Sequence, residues 1–105
     1  MAAFHHAIAA EPGNCAAHTE LGLMARRVGD FASAEANYLA CVDHQPDFRE
    51  AHLNLGILYE LYLGRLSEAL ASYRTYLSLD EGGDDRKVAG WVMDLERRLA
   101  LVAES

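Results

Sequence analysis

The side chains able to do chemistry are five histidines, two cysteines and sixteen acids, and their spacing decides what each can do. His18 and His52 stand 34 residues apart. A metal there would need a further ligand at His-x3-His or carboxylate spacing, or a Glu-x-x-His arrangement, and neither histidine has one. Both read as packing residues on core-facing helix sides. His5 and His6 are adjacent and diverge by about 100° on a helix, which is poor geometry for one ion. Cys15 falls near a helix start, where a thiol pKa is lowered, but no base is spaced to make it a nucleophile. Cys41 behaves as a small hydrophobe and is expected to be a buried, inert thiol. Two cysteines are too few for a disulfide framework, and their spacing matches no metal motif. Asp80-Glu81 and Asp84-Asp85 lack the alternating ligands of a calcium loop; Asp84 and Asp85 suit a helix cap and its dipole instead. The expectation is a non-enzyme with no catalytic, metal or cofactor-binding residues.

The elements that must position these groups are helical. The chain has 105 residues, 51% apolar and 24% charged, the balance of one ordinary globular domain. At this length it buries roughly 60–70% of its unfolded surface, enough for a core. A short helix is expected over 2–10, with Phe4, Ala7 and Ile8 inward, ended by Pro12-Gly13-Asn14. The next spans about 15–28, with His18, Leu21, Gly22 and Ala25 on one face and Gly29 as its stop. Asp30 caps a helix over 31–44 that turns Phe31, Ala34, Tyr38 and Cys41 inward. A helix over about 48–63 is apolar on several sides, as for a segment sandwiched between neighbours or carrying a binding surface. Leu66, Ala69, Leu70, Tyr73 and Leu77 build its partner over 65–80. The last helix, about 85–103, carries Val88, Trp91, Val92, Leu95, Leu99 and Val102 in one stripe.

These helices repeat. Leu21-Gly22, Gly29, Ala34, Tyr38 and Pro46 recur as Leu55-Gly56, Gly64, Ala69 and Tyr73, with one residue added ahead of Gly64 and Glu81 in place of the proline. The pattern resembles the tetratricopeptide repeat (TPR). The resemblance implies an all-α solenoid of antiparallel helix pairs: 1–14 as the second helix of an incomplete leading repeat, 15–48 and 49–83 as two repeats, and 84–105 as a closing helix with a polar outer face. Gly22 and Gly56 are then sites of close helix approach, and Tyr59 and Tyr73 are core positions, leaving Tyr62 and Tyr76 as recognition candidates. The added residue implies a longer helix or bulge absorbed by Tyr62 or Leu63. The half-repeat suggests a piece of a longer array, and Trp91 to Leu99 resembles bacterial members.

In such arrays the first helix of each repeat lines a concave groove that binds peptides or partner helices. By resemblance the groove combines Thr19, Leu23, Arg26 and Arg27 with Glu50, Leu53, Asn54, Ile57, Glu60 and Leu61. Met93 and Arg97 extend it. Leu23, Leu53 and Ile57 would be apolar anchors. TPR clamps for a C-terminal carboxylate use Lys, Arg and Asn; Asn54 matches, whereas Thr19 and Leu23 replace the expected Lys and Asn. A net charge of −7 opposes a phosphate backbone, so nucleic acid is not an expected partner. No apolar run approaches the ~18 residues that span a bilayer, so no direct membrane insertion is expected. The expected role is a non-catalytic scaffold or adaptor binding a protein or peptide. The alternative is self-association into a homo-oligomer through the open ends of the array.

Overall fold

The computed structural model describes residues 14–79 and 85–104, with side chains through 102. All regular structure among them is helical: α1 Cys15–Arg27, α2 Phe31–His44, α3 Arg49–Ile57, α4 Leu66–Leu79 and α5 Arg86–Glu104. The helix expected over 2–10 lies outside the described residues.

Local chemistry sets the helix ends. Asn14 opens α1 by accepting a hydrogen bond from the Ala17 amide at 3.1 Å. The other end is closed by Gly29, whose φ of 84° lets the Asp30 amide reach back to the Ala25 carbonyl at 2.9 Å. The Gly29 amide meanwhile bonds to Arg26 O at 3.1 Å, completing the paired bonds that satisfy a helix's last carbonyls. Asp30 then caps α2 through the Ser33 amide and hydroxyl, and those two bonds hold its carboxyl below the usual range. Asp85 caps α5 through the Val88 amide at 3.2 Å. His52 Nε2–H donates to the Pro46 carbonyl at 2.8 Å and ties the entry of α3 to the preceding turn.

α3 continues as a π-helical segment, Leu58–Leu63, before Gly64 turns the chain at φ 67°. A π-helix widens the turn by one residue. That is where the second repeat carries one residue more than the first, so the whole segment, not Tyr62 or Leu63 alone, takes up the addition.

Each helix packs mainly on its neighbours in sequence. Their shared core is built on Ala34, Tyr38, Leu55, Leu58, Tyr59, Ala69, Tyr73, Val88 and Leu95. The Tyr38 ring lies over Gly22 and the Tyr73 ring over Gly56, so tightly that a β-carbon at either glycine would collide with the ring. Trp91 of α5 meets Tyr73 at 5.5 Å between ring centres. Val102, assigned to the inward stripe of α5, is instead 66% exposed, because the helix runs on past its contacts with α4.

The cysteines correct a second expectation. Cys15 and Cys41 are both buried and joined in a disulfide, with Cα atoms 4.6 Å apart. The reason is the hairpin. Antiparallel α1 and α2 bring the first residue of one beside the last turn of the other, inside the Cα range that a disulfide requires.

Candidate interaction surface

The expected groove residues come from α1, α3 with its π-helical extension, and α5, and the structure treats them unequally. Thr19, Leu23 and Arg26 lie half-buried along one side of α1, at the i, i+4, i+7 spacing that shares a face. The Thr19 hydroxyl is enclosed without a hydrogen-bond partner among the described residues. Leu53 and Ile57 are half-buried and pack against the core, so each gives only part of its surface to solvent. Asn54 is half-buried, while Arg27 and Glu50 are exposed, the latter beside Arg49. Leu61 is 67% exposed and Met93 64% exposed. Arg97 is exposed, and no hydrogen bond or ion pair among the described residues joins it to the α1 set.

Aromatic contacts gather part of this surface. The Arg26 guanidinium lies 5.6 Å from the centre of the Tyr62 ring, within cation–π range. Tyr62 packs on Phe31 at 5.1 Å and remains 45% exposed. A cationic, aromatic cluster therefore bridges α1, α2 and the π-helical segment. Of the two tyrosines left as recognition candidates, Tyr62 is in it and Tyr76 is not. Tyr76 is buried, with its hydroxyl donating to Asp85 at 2.8 Å.

Two carboxylates, Glu35 and Glu60, are committed to buried tyrosines. Tyr59 donates its hydroxyl to Glu35 at 2.8 Å, and Arg65 donates to the same oxygen at 3.1 Å. Tyr73 donates to Glu60 at 2.9 Å, and the other Glu60 oxygen takes Arg98. Glu60, expected as a groove residue, thus ties the π-helical segment to α4 and α5. Burial pushes both tyrosines well above their ordinary pKa, and the hydrogen bonds to Glu35 and Glu60 push the same way. Tyr38 differs. Its hydroxyl has no partner among the described residues. Burial raises its pKa, while the positive charge of Arg26 pulls the other way.

Sequence reasoning missed the Tyr38, Glu35 and Arg98 contributions. A usable signal was present: aligning the two repeats sets Arg26 opposite Glu60, one the charge-reverse of the other. A separate open hollow of about 510 Å³ lies along Ala36, Leu39, Ala40 and Asp43. It is on the side of α2 turned from Tyr38, and Asp43 is its one ionisable described residue.

His18 Nδ1–H donates to Asn37 at 3.1 Å and joins α1 to α2, whereas His52 donates to the Pro46 carbonyl and joins α3 to the turn before it. No group of three or more potential metal ligands occurs among the described residues. No helix among them is long and apolar enough to cross a membrane.

No family model matches the chain. A protein O-mannosyl-transferase of Caenorhabditis elegans is 32% identical over 76 residues, covering 72% of this chain and 11% of that protein. The chain thus spans about a ninth of the length of the curated relative it matches. That relative is a nematode protein, so the likeness to bacterial members at the closing helix finds no support in it.

Proposed function

We propose that the chain is a TPR-type array of helix pairs acting as a non-catalytic interaction module, which binds a peptide or helix of a protein partner along the α1 and α3 side. The carrying observation is the Arg26–Tyr62 contact, backed by Phe31 and with Leu23 one turn before Arg26 on the same side of α1. It is cationic and aromatic in an acidic protein, partly open to solvent, and engaged by no carboxylate among the described residues. Aromatic and arginine side chains are the types enriched where proteins recognise proteins.

The array reading is supported by the equivalence of the two helix pairs. Each sets a tyrosine ring on a glycine of the facing helix, and each turns its first helix with a left-handed glycine. The sequential packing of helices and a radius of gyration of 14.6 Å, above the about 13 Å of a globular chain this long, fit an elongated stack. The likeness to a short share of a larger protein is compatible with an interaction unit within a longer polypeptide.

The test is retention of acetylated, amidated random nonapeptides on the immobilised chain. Wild type should select a peptide subset that Leu23→Asp loses without a fall in melting temperature. Equal retention by the two chains would remove the groove from the account.

A second reading, self-association, draws on Leu101 and Val102, adjacent and 60% and 66% exposed near the end of α5. Exposed apolar residues at a repeat end favour stacking on a second copy. Light scattering over a concentration series would give a mass that rises with concentration on this reading and a constant monomer mass on the first.

A further inference from the structure

The two helix pairs solve one problem differently. In the second, Tyr73 crosses over Gly56 and its hydroxyl donates to Glu60 at 2.9 Å, while Arg98 binds the other oxygen of that carboxylate. In the first, Tyr38 crosses over Gly22 in the same way. The residue equivalent to Glu60 is Arg26, so the place of the acid is taken by a base. Tyr38 is 0% exposed and its hydroxyl has no partner among the described residues. A buried hydroxyl left unpaired is costly, and native proteins rarely leave one without a reason. Nor does any described carboxylate pair with Arg26, whose guanidinium rests on Tyr62.

The first pair thus holds a buried tyrosine hydroxyl and, in the acid's place, an arginine, with no described carboxylate to join them. We infer that Arg26 and Tyr38 form a subsite for a glutamate side chain of a protein partner, which would join a tyrosine hydroxyl to an arginine as Glu60 joins Tyr73 to Arg98. One oxygen accepts from the Tyr38 hydroxyl and the other from the Arg26 guanidinium. This rests on the groove reading and deepens it by naming the chemistry of the central contact. A side-chain carboxylate is the occupant, not a chain terminus, because the chain's own solution of the same geometry uses glutamate. Arg26 is half-buried and Tyr62 is 45% exposed, so both can rotate to admit the acid. Leu23, one turn before Arg26 on the same side of α1, supplies an apolar contact beside it.

The experiment uses the whole chain and three synthetic nonapeptide pools. All are randomised over Leu, Ala and Ser except at the centre. One carries central Glu and another central Gln, both acetylated and amidated; the third carries central Gln and a free C-terminal carboxylate. The Glu pool should be retained about tenfold more strongly than either Gln pool, the scale of one charge-assisted contact. Arg26→Gln should abolish that preference. Arg26→Glu should abolish it and raise the melting temperature, since the new acid gives Tyr38 the acceptor that Glu60 gives Tyr73. A merely structural Arg26 would not yield tighter folding together with lost Glu selection. Equal retention of the Glu and amidated Gln pools overturns the inference and leaves the groove reading standing. Preference for the free-terminus pool overturns the side-chain assignment. Retention of none of the three overturns the groove reading itself.

Discussion

Reducing the Cys15–Cys41 disulfide should destabilise the chain by an amount the sequence separation sets. The link closes a loop of 26 residues between the start of α1 and the last turn of α2. Chain-entropy reasoning gives roughly 3.5 kcal/mol for a loop of that length at room temperature. A domain of this size is typically stable by about 5–15 kcal/mol, so reduction removes a large share. At about 4–8 °C per kcal/mol, the melting temperature should fall by roughly 14–28 °C. The loss should also be local. In the second helix pair the equivalent positions are Arg49 and Tyr76, joined by a cation–π contact at 5.4 Å that reductant does not touch. Thermal unfolding by circular dichroism, with and without a phosphine reductant, reads the magnitude. Hydrogen exchange reads the place, with α1 opening well before α4 in the reduced chain. The Cys15→Ala/Cys41→Ala variant is the control and should ignore reductant. The reasoning fails if both wild-type thiols react with maleimide in the native, non-reduced chain, or if reductant leaves the melting temperature unchanged.

Four further outcomes are expected. Gly22→Leu and Gly56→Leu should each cost on the order of 1–3 kcal/mol or more in chemical denaturation, because a side chain there enters the ring of Tyr38 or Tyr73. Leu55→Asp should unfold the chain, whereas Leu53→Asp, at a half-buried site, should lower the melting temperature less and remove peptide retention. Trp91→Ala should cost about 2–4 kcal/mol, below the full value for a buried tryptophan because the residue is only partly buried. Tyr59 and Tyr73 keep their protons above the ordinary 10, so the folded chain holds protons that the unfolded chain releases. Their contribution is complete below that pH and is lost as pH rises past it, so alkaline titration should unfold the wild type at lower pH than Tyr59→Phe/Tyr73→Phe.

Periodicity made the helices legible because each repeats the same inward apolar spacing, and their ends were legible because Asp30 can cap a helix through its side chain and Gly29 and Gly64 accept the left-handed backbone that stops one. What escaped were pairings between elements. Cys15 and Cys41 lie 26 residues apart, and only the antiparallel hairpin shows them facing. Glu60 looked like a groove acid because its own helix face points that way; Tyr73 and Arg98, from two other helices, claim it. Val102 continued a stripe in sequence beyond the neighbour that could cover it. Tyr38 was legible as core, yet its unpartnered hydroxyl appears only once every facing side chain is in place.

Ligands are expected to dock on the α1 and α3 side, and photo-crosslinking reads the docking face. A photoreactive side chain is placed at Leu23, at Leu61, or at Leu39 on the far side of α2, and each chain is irradiated with a nonapeptide pool randomised at every position. The account predicts adducts from positions 23 and 61 and none from position 39. Adducts from position 39 alone, or equal yields from all three, would contradict it.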